Sequence, residues 1–67
     1  MTETRTIKAS HLWPGMILAS RPDTRLYDIQ GCGEDIDGTV ILKLTFKSAR
    51  ALYTRVDTDV DILVEVE

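Results

Sequence analysis

Two stretches of this chain alternate strictly, and they limit it to extended structure. Val40, Leu42, Leu44 and Phe46 alternate with Ile41, Lys43, Thr45 and Lys47, and Val60, Ile62, Val64 and Val66 alternate with Asp61, Leu63, Glu65 and Glu67. A two-residue period sends successive side chains to opposite faces of a strand, so each stretch offers one side to a core. No window carries a helical period. Thr6–Ala9, Met16–Ser20, Leu26–Gln30 and Ala51–Val56 read as shorter strands, separated by turn residues such as Trp13-Pro14-Gly15 and Arg21-Pro22-Asp23-Thr24. Asp37-Gly38 marks a hairpin. Gly31 and Gly33 mark a bulge below it or a wider loop, and the polar Met1–Arg5 segment is expected to fray.

Sixty-seven residues leave room for one domain, spanning 1–67. A chain of this size buries only about 60% of the surface its unfolded form exposes. Its core alone supplies roughly 3–5 kcal/mol, so such domains tend to add a disulfide, a metal or a partner subunit. One cysteine, Cys32, and one histidine, His11, provide neither an internal disulfide nor four zinc ligands. Self-association is the remaining means, and a homo-oligomer is expected. The composition, 43% hydrophobic and 28% charged, is that of a folded chain. The longest apolar run, Met16 to Ala19, is too short for a membrane span or a signal-peptide core, which predicts a cytoplasmic protein without membrane contact. A formal charge of −3 works against non-specific binding to nucleic acid.

Ile7-Lys8-Ala9-Ser10-His11-Leu12-Trp13-Pro14-Gly15-Met16, a glycine-bearing hairpin, and then Val56-Asp57-Thr58-Asp59-Val60-Asp61-Ile62-Leu63 follow one another in the chain. This order resembles small proteins of actinobacteria and their phages in which an A-x-x-L-x-P-G-M/D opening precedes an SH3-like barrel. A similar opening begins hedgehog/intein-type modules, but the nucleophile and histidines of splicing have no counterpart here. The resemblance implies the barrel fold and a phage or mobile-element origin, and it does not imply splicing. Arg25-Leu26-Tyr27-Asp28-Ile29 also resembles the A-L-Y-D-Y element of SH3 domains. The tryptophan that forms their proline-peptide groove should lie downstream, whereas Trp13 lies upstream. The expected architecture is therefore an all-β, SH3-like barrel of five to six short antiparallel strands, since closure removes vulnerable sheet edges.

Few residues suit catalysis. Cys32 is followed by Glu34, Asp35 and Asp37, whose charge works against a reactive thiolate, and His11 lies in a turn. Asp35-Ile36-Asp37-Gly38 lacks the remaining ligands of a calcium loop and reads as an acidic hairpin tip. No enzyme activity, metal or cofactor is expected. Trp13, Tyr27 and Tyr53 are candidate protein-interface residues, and Trp13 either plugs one end of the barrel or anchors a partner. Lys43, Lys47, Arg50 and Arg55, with Tyr53 or Phe46 as stacking platforms, form a candidate nucleic-acid patch, or instead pair across strands with the acids of neighbouring strands. Asp57, Asp59, Asp61, Glu65 and Glu67 form an acidic stripe, read as an outward solvated face partly neutralised by Lys43 and Lys47, or as an imitation of DNA. The first functional expectation is a non-enzymatic interaction module acting by self-association or by docking on a larger protein. Nucleic-acid binding and DNA mimicry are the alternatives.

Overall fold

The computed structural model describes residues 1–66. Six strands form in chain order: β1 Thr2–Lys8, β2 Ile17–Leu18, β3 Leu26–Glu34, β4 Val40–Phe46, β5 Leu52–Arg55 and β6 Asp59–Glu65. A single 3-10 turn, Ala9–His11, follows β1. The strands pair antiparallel in two sheets of three, ordered β1-β6-β2 and β3-β4-β5. The domain is all-β as expected, but the closed barrel does not form. Its joints are too short to complete a ring: β2 has two residues, which pair only with Ile62 and Leu63. Beyond β2 the sheets are linked by a few backbone hydrogen bonds. The Gly15 N–H donates to the Leu26 carbonyl at 2.7 Å, the Leu26 N–H to that of Met16 at 2.8 Å, and the Ser10 N–H, just after β1, to that of Val56, just after β5, at 3.1 Å.

The buried core is Ala9, Leu12, Leu18, Leu26, Leu44, Phe46 and Ile62. These side chains come from both sheets and from the 3-10 turn, so burial of one sheet's apolar face depends on the other. Leu44 and Phe46 follow the alternation of β4, while Val40, in the same register, is exposed. The hairpin outruns the core at that end, and the molecule is correspondingly long, 41 × 23 × 15 Å. Arg21 closes the other end of β4, its guanidinium 5.2 Å from the centre of the Phe46 ring.

Three local expectations are corrected. Met1–Arg5 does not fray: β1 begins at Thr2 and pairs along its whole length with β6, from Thr2 opposite Glu65 to Lys8 opposite Asp59. Its residues before Ile7 are exposed, so no apolar period announces the strand. Backbone pairing holds it instead, helped by the Thr6 hydroxyl donating to Asp61 at 2.6 Å and by a 2.8 Å Lys8–Asp59 ion pair. Second, β3 does not end at Gln30 but continues through Gly31 to Glu34, and of the two readings of its glycines the bulge is the one observed, with Cys32 and Gly33 opposite Ile41. Gly33 has φ +89°, a conformation that side chains disfavour, which is why a glycine-rich segment can remain a strand there. Third, the acids of β6 are met by Lys8, Thr6 and Thr2 of β1, not by Lys43 and Lys47.

Candidate functional site

The turn carrying Trp13 presents a large exposed aromatic on a hydrogen-bonded backbone. Pro14 supplies a fixed φ at its second position and Gly15 takes φ +99° at its third, as a type II turn requires. The Met16 N–H donates to the Trp13 carbonyl at 3.2 Å and closes it. Leu26 hydrogen-bonds to Gly15 and Met16, and Arg25 donates through Nη1 to the Gly15 carbonyl at 3.1 Å. Leu12, the residue before Trp13, is buried in the core. The indole itself is 70% exposed, so Trp13 does not plug the fold.

Tyr27 directly follows the Leu26 that holds this turn, and it sits at a register shift of β3 between Leu26 and Asp28. It too is exposed. The hydrogen bonds of Leu26 thus place the segments that carry Trp13 and Tyr27 side by side. Tyr53 lies elsewhere, in β5 opposite Lys43. Beside the turn runs a groove of about 420 Å³, lined among others by Gly15, Met16, Arg25, Leu63, Val64 and Glu65. Its lining mixes apolar side chains with Thr2, one base and one acid, and neither His11 nor Cys32 lines it. Among the described residues no group of three or more His, Cys, Asp and Glu is placed to hold a metal ion.

The basic patch is divided. Lys43 shares a sheet face with its partners Gln30 and Tyr53, whereas Lys47 and Arg50 are exposed in the turn after β4. Arg55 is engaged by three carboxylates: Asp35 at 2.9 Å, Asp37 at 2.6 Å and Asp57 at 3.3 Å, with the Thr39 hydroxyl at 3.0 Å. Its bonds to Asp37 and Asp57 raise its already high pKa, and its role is to tie the β3–β4 turn to the β5–β6 turn. The acidic stripe is divided as well. Asp57 faces Arg55, Asp59 is paired with Lys8, and Asp61 and Glu65 accept hydrogen bonds from Thr6 and Thr2. The Asp59 carboxylate raises the Lys8 pKa, chiefly by accepting its hydrogen bond. Glu67 lies outside the described residues.

Pairing of Arg55 with acids of neighbouring strands is legible in the sequence, but the convergence of three carboxylates on it and the clamp on the Trp13 turn are not. Arg55-Val56-Asp57 beside Asp35-Ile36-Asp37-Gly38 carries the charges, but their meeting depends on β4 and β5 pairing in register. Arg25 gave no signal, because its partner is a backbone carbonyl. Comparison with protein-family models, with curated proteins and with solved structures finds no match.

The cluster makes a pH prediction. The Thr39 backbone N–H, followed by Arg55, lowers the Asp37 carboxyl from 3.8 to about 2. Its contribution to the folded tip is therefore complete above the unfolded value of 3.8 and disappears as the pH falls to about 2. In an NMR acid titration the Asp37 and Thr39 signals should move near the lower value, and Asp37→Asn should remove that step. Titration of Asp37 at its ordinary value would show that these contacts are not made in solution.

Proposed function

We propose that the protein is a non-enzymatic β-sheet interaction module that docks on a larger protein through the Trp13 turn, with Tyr27 at its border. The observation that carries this reading is an indole left 70% exposed on a turn that is hydrogen-bonded on both sides. Exposing so large an apolar ring costs solvation free energy, and holding it on a fixed backbone lowers the entropy lost when it enters a pocket. Tryptophan is also enriched among the residues that dominate binding. We read the scaffold as an opened relative of the SH3-like barrel, on its strand number and its two linked sheets. Nucleic-acid binding has a narrower basis, the Lys43–Tyr53 neighbours on one sheet face, because Arg55 is committed to carboxylates.

A photo-crosslinking residue at position 13, in cells that express the protein, tests the reading. One defined protein adduct is expected from position 13 and none of it from position 50. The purified partner should then bind the Trp13→Ala variant with a loss of about 2 kcal/mol or more, as expected for an interface hot spot. Identical adducts from both positions, or unchanged affinity on Trp13→Ala, would overturn it.

A further inference from the structure

The outer edge of β1 is a long, regular strand edge with no partner among the described residues. Sheet order places β1 outside β6, and its register runs without a shift from Thr2 to Lys8. Proteins usually protect such an edge with a bulge, a proline or a cover. The free edge of β3 is bulged twice. That of β1 has no bulge and no proline, and the protection it does carry is charge, from Glu3, Arg5 and Lys8.

Which backbone groups point outward follows from the hydrogen bonds at the two ends of β1. Met1 and Val66 exchange bonds at 2.8 and 3.3 Å, and the Ala9 N–H donates to the Thr58 carbonyl at 2.8 Å. In an antiparallel pair the bonded positions alternate. Met1, Glu3, Arg5 and Ile7 therefore face β6 with their backbone groups, and Thr2, Thr4 and Thr6 direct theirs to the open edge.

We propose that this edge pairs antiparallel with β1 of a second copy of the chain, about a two-fold axis through Thr4, giving one continuous sheet of six strands. Centred there, Thr2 meets Thr6 of the other copy and Thr4 meets its equivalent, so every outward backbone group between Thr2 and Thr6 is bonded. Glu3 then lies opposite Arg5, Arg5 opposite Glu3, and the 91%-exposed Met1 opposite Ile7. These charged positions are the non-hydrogen-bonded ones, where side chains approach most closely. Within one chain Glu3 and Arg5 already lie on one face, 3.4 Å apart, so two copies place four charges of alternating sign in a square.

Charge also selects the register. The smallest shifts that keep outward groups facing each other move the axis to Glu3 or to Arg5, and set Glu3 against Glu3 or Arg5 against Arg5; larger shifts bond fewer of the outward groups of Thr2, Thr4 and Thr6. Like charges directly opposite are destabilising. The segment Thr2-Glu3-Thr4-Arg5-Thr6 is thus self-complementary in one register, as an isologous two-fold interface requires. Strand pairing alone buries less than the roughly 1,000 Å² of a stable interface, so the dimer is a weak one. Thr2 also lines the groove beside the Trp13 turn, but the pairing rests on the backbone edge and charges of β1 and on no property of that turn.

Sedimentation velocity on the intact chain up to millimolar concentration, with circular dichroism to verify folding, provides the test. Wild type and the double swap Glu3→Arg/Arg5→Glu should dimerise. Glu3→Arg alone and Arg5→Glu alone should each associate at least about tenfold more weakly, since like-charge contacts are costly. An equimolar mixture of the two single variants should dimerise again, because each supplies the charges the other lacks. In wild type, amide exchange at Thr2, Thr4 and Thr6 should slow with concentration, with Glu3 and Arg5 unchanged. A wild type monomeric at millimolar concentration, single variants that associate as wild type does, or a mixture that stays monomeric would overturn the proposal.

Discussion

Truncation of Leu44 to alanine is expected to unfold a large part of the protein population at 25 °C. Leu44 is 1% exposed and lies mid-sheet, opposite Ile29 of β3 and Leu52 of β5. Removing a buried leucine side chain costs about 2–5 kcal/mol, the transfer term plus the cavity left behind. A domain of this size has roughly 3–5 kcal/mol from its core, so the loss consumes most of the margin. Urea unfolding followed by circular dichroism should show a midpoint near zero denaturant for Leu44→Ala. Leu44→Met, which conserves volume, should lose less than about 1.5 kcal/mol. A wild-type midpoint for the alanine variant would show that Leu44 is not at the centre of the core.

The second large effect separates two aromatic residues that composition alone treats alike. Phe46 is 4% exposed, pairs in register with Leu26 and lies under the Arg21 guanidinium. Phe46→Ala should therefore cost about 3–5 kcal/mol, again close to the whole stability. Trp13, at 70% exposure, leaves no comparable cavity, and Trp13→Ala should change stability by no more than about 0.5 kcal/mol. Paired thermal melts decide the matter. If Trp13→Ala lowers the midpoint as far as Phe46→Ala does, the indole is a structural plug and the proposed docking turn loses its anchor.

The legible parts of the fold were those where local pattern and burial coincide. Alternation located β4 and β6 and placed Leu44, Phe46 and Ile62 in the core. Asp37-Gly38 located the hairpin, with Gly38 at φ +84° where the turn needs it. Trp13-Pro14-Gly15-Met16 announced its own turn. Of β1 only the end, Thr6–Lys8, was legible; Thr2–Arg5 was not, because those exposed residues carry no apolar period and their partners lie more than fifty positions away. The bulge of β3 was half legible: its glycines showed, but whether the ladder resumed at Glu34 depended on β4. For the candidate sites, the exposed aromatics were named from the chain, whereas the fate of each charge was not. The sequence leaves Arg55 between a basic patch and pairing with acids, and strand pairing decides for the acids by bringing three carboxylates to it.

By itself, then, the sequence determined an all-β chain with two strongly alternating strands, a hairpin and a Pro-Gly turn, because a two-residue period and a required positive φ are properties of neighbouring residues. Only the tertiary structure decided that six strands divide into two linked sheets instead of closing a barrel. It also decided that Trp13 faces solvent and that β1 forms an open edge. Those outcomes turn on how far each strand runs beside its partner. The two-residue β2 ends before it can bridge the sheets, and β1 extends as far as β6 offers backbone groups to pair with.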